Sequence, residues 1–161
     1  MFQRILVCLD GSELAEQILP YAMEAALGFQ SKLVLLQVIP EPVAYSPGIP
    51  GAESAPVQTG TMVEETKQAL DGAKDYLEEL ATPLRKKSIE VETVAILGRA
   101  GEAILNYAGR NDVNLITIAT HGHGGLRRAI FGSVADYVLR GSHLPVLVIR
   151  PQESEDKGQD L

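Results

Sequence analysis

The sequence predicts an α/β fold: a single-domain, open, five-stranded parallel sheet with helices on both faces. Two observations carry this. Five short runs, residues 5–9, 32–38, 91–96, 113–119 and 145–149, are β-branched and nearly continuously apolar, without polar alternation. Such runs mark strands covered on both sides. Between them lie segments with apolar residues at helical spacing. The resulting order, β-α-β-α-β-α-β-α-β, implies right-handed crossovers within one sheet.

The elements follow in chain order. The first strand leads into Asp10-Gly11-Ser12. A first helix is expected from Ser12 as N-cap to Gly28 as C′, with Leu14, Ile18, Ala22 and Ala25 on one face. After the second strand, residues 41–62 carry Pro42, Pro47, Pro50 and Pro56 with Gly48, Gly51 and Gly60. A segment of that length and composition reads as a passive or disordered loop, or as a ligand lid. A long second helix is marked by Leu70, Ala73, Leu77, Leu80 and Leu84. A third runs over about 101–109 with Ile104, Tyr107 and Ala108 inward, and a fourth contains Val134, Val138 and Leu139. Residues 152–161 are polar and acidic and read as a solvated, disordered tail.

Composition narrows the function classes. Apolar residues make up 45% and charged residues 22%, ordinary for a globular domain. A net charge of −7 argues against a general nucleic-acid surface and against docking to anionic membranes. The one cysteine, Cys8, lies in an apolar run and reads as a buried thiol; with no partner for a disulfide it fits a reducing compartment. The N-terminus lacks a signal-peptide pattern, and no apolar run nears ~18 residues. A cytoplasmic protein with no membrane span is expected.

The chemistry concentrates after the fourth strand, in A-T-H-G-H-G-G-L-R-R-A-I-F-G-S-V. Gly122, Gly124, Gly125 and Gly132 allow close backbone approach to a ligand, and Ser133 is placed to cap the following helix. Strand, glycine loop and helix start in that order make an anion site, because unpaired N–H groups and the positive helix end converge. Phosphate is the natural occupant. It is not a P-loop, since no Gly-Lys-Ser/Thr occurs, and Arg127 stands where a dinucleotide fingerprint needs glycine. Arg127 and Arg128 are candidate phosphate contacts or plain solvated surface. His121 and His123, without cysteine or carboxylate neighbours, make a poor metal site, so no metal is assigned. Asp10 could act as a base, hold its own turn through Ser12, or bind ribose. No G-x-S-x-G supports a serine hydrolase. Asp136 pairs with Arg140 four residues on.

The segment Ala119-x2-Gly122-x9-Gly132-Ser133 resembles the G-x2-G-x9-G-[ST] motif of the ATP-binding branch of the universal stress protein family, matching three of four fixed positions. The resemblance extends to I-L-V-C-L-D-G-S-E-L-A, to Q-V-I-P, to G-R-A-G-E-A-I-L and to H-L-P-V-L-V-I-R, and so covers nearly all of residues 1–151. It implies a Rossmann-like sheet of order 3-2-1-4-5, related to the adenine nucleotide alpha hydrolases. It further implies a regulatory module in the stress response that binds ATP, ADP or AMP, with or without Mg2+, and is not an enzyme.

Carried over residue by residue, the first strand contributes Cys8 and Asp10, the carboxylate facing adenine and ribose. Val38 falls where a backbone group reads the adenine edge. Ile118, Ala119, His121 and Gly122 fall near ribose and phosphate, and Gly132, Ser133 and Val134 on the phosphates. Ala119 replaces the first motif glycine, which is harmless in ordinary β geometry and crowding if ribose must approach closely. The resemblance also implies a homodimer paired antiparallel along Val146, Leu147, Val148, Ile149 and Arg150, an apolar edge that invites pairing. Two alternatives remain open at this point. One is a slow ATPase or nucleotidyl-transfer enzyme, disfavoured because L-D-G-S-E stands where S-G-G-x-D-S would be expected. The other is an interaction protein of the same fold without nucleotide.

Overall fold

The computed structural model describes residues 1–42, 60–120 and 132–152. Five parallel strands form one sheet: β1 (Arg4–Leu9), β2 (Lys32–Ile39), β3 (Val91–Leu97), β4 (Leu115–Ala119) and β5 (Val146–Ile149), in the order β3-β2-β1-β4-β5. The winding reverses between β1 and β4, where Cys8 pairs with Ile118. The expected order therefore holds. Most strand limits agree within a residue; the fourth starts at Leu115, two residues later than the apolar run suggested.

Helices cover both faces. On one, α1 (Glu13–Glu16), α2 (Leu19–Phe29) and α3 (Gly60–Arg85) bury Ile5, Val7, Leu33 and Leu35 against Ile18, Ala22, Leu77 and Ala81. On the other, α4 (Ala100–Arg110) and α5 (Ser133–Gly141) bury Leu6, Cys8, Val34, Ile116 and Ile118 against Ile104, Ala108 and Val138. Alternate residues of each strand serve the two faces, which is why the runs read as continuously apolar.

Several local expectations are corrected. The first helix is two helices. Pro20 has no N–H to give the Glu16 carbonyl and its ring would strike it, so the chain breaks at Gln17–Ile18 and restarts with Pro20 in the first turn of α2. Its inward positions shift accordingly: Ala15, Ile18, Ala22 and Ala26 are buried, whereas Leu14 and Ala25 are half-buried. α2 passes Gly28 and ends on Gln30, which takes the left-handed conformation at φ 55°. α3 already starts at Gly60, inside the stretch expected to be loop, and buries Ala73, Leu77, Ala81 and Leu84. Tyr107 is half-buried; its hydroxyl meets Arg4 and Glu92. Gly132, not Ser133, is the N-cap of α5. Gln152 is held by Gln17, whose side chain exchanges two hydrogen bonds with its backbone at 2.9 Å each, so it does not belong to a loose tail. The remainder of the Pro-rich stretch, residues 43–59, and of the tail, 153–161, lie outside the described residues.

Gly101 lets α4 and α5 approach, and Gly141 lies at the same contact. A Cβ on Gly101 would stand 2.5 Å from Tyr137 Cδ1 and 2.8 Å from its Cγ. A Cβ on Gly141 would stand 2.5 Å from Leu105 Cδ1.

Candidate functional site

The carboxyl ends of β1 and β4 part at the point of reversed winding, the place where open α/β sheets take ligands. A cavity of about 110 Å³ opens there, walled by Cys8, Leu9, Asp10, Ala15, Leu36, Val38, Ala100, Ile104, Ile118, Ala119 and Val134. Six of these are sequence candidates: Cys8, Asp10, Val38, Ile118, Ala119 and Val134. They come from four elements and meet only because of the strand order.

The cavity wall is mostly apolar. Cys8 is nearly buried, and burial pushes its thiol up to about 12, so it is a neutral surface and not a nucleophile. Val38 and Leu36 lie two apart on β2 and therefore on one face. Ala119 is a regular strand residue paired with Ile149, without positive φ, so the position does not require glycine. Its methyl is part of the wall.

The rim is polar. Asp10 Oδ1 accepts from the Ser12 N–H at 3.0 Å and from the Ser12 hydroxyl at 2.6 Å. Ser12 Oγ in turn accepts from the Ala15 N–H at 3.1 Å, capping α1. The turn needs Gly11, at φ 84°, where an added Cβ would also stand 3.2 Å from Gln37 Nε2. Asp10 thus serves its own turn while its carboxylate stays at the exposed lip of the cavity. Across the cavity, α5 starts from Gly132 in extended conformation, φ −63° and ψ 158°, and among the described residues no side chain caps it. The first-turn amides of Ser133, Val134 and Ala135 have no intrahelical acceptor, and the helix dipole adds positive potential. Ser133 is exposed at that end. Thr120, at the end of β4, is buried, and its hydroxyl has no hydrogen-bond partner among the described residues.

The cavity thus combines an apolar slot with a carboxylate and a helix start at its rim. The candidates His121, Gly122, Arg127 and Arg128 lie outside the described residues. Sequence reasoning missed Leu9, Ala15, Leu36, Ala100 and Ile104. Leu36 was signalled by its alternation with Val38, whereas Ile104 read as ordinary core. A wider groove of about 470 Å³ runs along the other side of α4 beside Arg99, Glu102, Asn106 and Arg110. It is larger, but it is open and distant from the reversal of winding. The smaller cavity, where strand ends and a helix start converge, is the better site. Asp136 and Arg140 do form their expected pair, at 2.8 Å.

Comparison with known proteins decides the family. The model of the universal stress protein family matches residues 1–150. The chain belongs to the universal stress protein family. The universal stress protein YxiE of Bacillus subtilis is 30% identical over 152 residues, covering 93% of this chain and all of YxiE. The solved structure of MJ0577, a universal stress protein of Methanocaldococcus jannaschii, superposes with a TM-score of 0.72 at 26% identity, covering 96% of this chain and 99% of that one. A universal stress protein from Archaeoglobus fulgidus, solved in complex with dAMP, shares the fold with a TM-score of 0.56 at 22% identity, covering 92% and 98% of the two chains. Among the described residues no helix is long and apolar enough to cross a membrane.

Proposed function

We propose that this universal stress protein binds an adenine nucleotide (ATP, ADP or AMP) at the switch between β1 and β4, and acts in the cytoplasm as a regulatory module of the stress response. The observation that carries the reading is the single cavity into which Cys8, Asp10, Val38, Ile118, Ala119 and Val134 converge. At about 110 Å³ it is well below the roughly 300–1,000 Å³ of sites that enclose a whole ligand. It suits one flat ring, with the rest of the ligand lying across the rim. The base enters the slot, with the Val38 backbone at its edge. The ribose reaches Asp10, and the phosphates reach Gly132, Ser133 and Val134; the family resemblance adds His121 and Gly122 near ribose and phosphate, and Arg127 and Arg128 remain candidate phosphate contacts by sequence. The dAMP held by the Archaeoglobus fulgidus protein supports the choice of an adenine ligand.

The chain's residues bind and orient the nucleotide and do not turn it over. Asp10 is committed to its turn, and the Cys8 thiol stays protonated. Mg2+, where it accompanies the nucleotide, would be held mainly by the phosphates. β5 is an edge strand whose four residues are all half-buried on both faces, which supports an antiparallel homodimer along Val146, Leu147, Val148, Ile149 and Arg150. Light scattering at about micromolar protein should return twice the chain mass; a monomer counts against the pairing.

Calorimetric titration with ATP tests the binding. Affinity in about the micromolar range is expected. An absence of heat, together with failure to displace a fluorescent ATP analogue, would overturn the reading.

A further inference from the structure

α1 cannot hold itself in place. Its four residues are far fewer than the ~12–15 that an isolated helix needs. Ala15 and Ile18 anchor it to the core, and Gln17 ties its end to Gln152. One further fastening comes from across the sheet face: the Tyr76 hydroxyl on α3 donates to Glu16 Oε1 at 3.0 Å, joining residues 60 apart in sequence. The same short helix begins at Ser12, whose N–H and hydroxyl both grip Asp10 Oδ1. A continuous path of hydrogen bonds and one rigid turn therefore runs from Tyr76 through Glu16 and Ser12 to the lip of the cavity.

Tyr76 is suited to this post. It is half-buried, and burial, then the bond to Glu16, then the Asp10 charge all raise its pKa, so the phenol remains a donor at any working pH.

We propose that Tyr76 is a positioning residue for the ligand-facing carboxylate: by holding Glu16 it fixes α1, and through the Ser12 turn it sets where Asp10 stands against the ribose of a bound adenine nucleotide. The inference rests on the nucleotide reading above. Tyr76→Phe removes one hydroxyl and leaves the ring, so the fold is retained. The bond is made without ligand too, so it reaches affinity only through the misplacement of Asp10, and the loss in ATP affinity is expected to be about fivefold at most. Because the effect passes through Asp10, Tyr76→Phe should cost less than about twofold in an Asp10→Asn background, whereas independent effects would multiply.

The experiment is calorimetric ATP titration of wild type, Tyr76→Phe, Asp10→Asn and the double variant, with amide hydrogen exchange at Ser12 and Ala15 in the first two. Weaker binding that vanishes as an increment in Asp10→Asn, with faster exchange at both amides, is the expected result. Wild-type affinity in Tyr76→Phe, or the same loss with and without Asp10, overturns the proposal. If wild type takes no ATP, the nucleotide reading fails, and exchange alone then judges Tyr76: faster exchange upholds its hold on the Asp10 turn, and unchanged exchange overturns it.

Discussion

Gly132→Asp separates binding from folding at the start of α5. Gly132 has φ −63° and ψ 158°, extended values open to any residue, so aspartate fits the backbone. It is also a favoured N-cap, within a few tenths of a kcal/mol of glycine or better, and glycine itself offers no side-chain cap to lose. Stability should therefore hold. Binding should not. A carboxylate about 5 Å from a phosphate charge, at an effective dielectric near 20, costs about 3 kcal/mol, or roughly a hundredfold in affinity. It would also turn the positive helix end to bonding its own side chain. Gly132→Asn has the same shape without the charge and should lose less than about tenfold. Calorimetry with ATP gives the affinities and thermal unfolding gives the stability. The Asp variant should regain part of its loss in high salt, which screens an exposed repulsion. Gly132→Asp binding ATP within about threefold of wild type, or Gly132→Asn losing as much as Gly132→Asp, would refute phosphates at this helix start.

The remaining predictions concern the scaffold. Gly101→Ala pushes a methyl against the root of the Tyr137 ring, where only a shift of α5 relieves it, so thermal unfolding should show a loss of about 1–3 kcal/mol less a small gain in helix propensity. Gly141→Ala meets only the swinging tip of Leu105 and should be near neutral; equal losses at both glycines would contradict the packing account. Glu78 is held down to about 2 first by Arg85 and then by Thr93, from an ordinary 4.5. A depressed carboxylate adds stability above its unfolded pKa and loses it as pH falls, so the stability gap between wild type and Glu78→Gln should close from about pH 4.5 toward pH 2; a gap constant over that range would contradict it. Cys8, buried and pushed up to about 12, should resist thiol reagents at about pH 8 until the protein unfolds; prompt labelling of native protein would show the cavity floor to be open.

The sheet was legible because each strand writes its own pattern. Ile5 to Leu9 face both layers and so are apolar at every position. The turn at Asp10-Gly11-Ser12 was legible for the same local reason: Gly11 needs positive φ and Ser12 caps the helix beside it. The errors arose where a local signal competed with a stripe. Pro20 was visible, but the stripe of Ile18 and Ala22 ran across it, and the missing N–H won. Gly28 was a ready terminator, yet α2 continued until Gln30 took the left-handed turn and Ser31 reached back to the Ala26 carbonyl at 2.9 Å. The part of the cavity wall supplied by Ala100 and Ile104 was not legible, because it depends on how α4 crosses the sheet. Nor was the link between Tyr76 and Glu16, which only the docking of α3 creates. Ala119 was the weak point of the sequence argument; its ordinary strand geometry makes alanine acceptable there.

A crystal structure of the protein grown with saturating ATP tests the central claim most directly. The account predicts the base between Cys8, Val38 and Ile118, ribose at Asp10 and phosphates on the first-turn amides of α5. Nucleotide density along the Arg99 and Arg110 side of α4, or an empty cavity at saturating ATP, would contradict it.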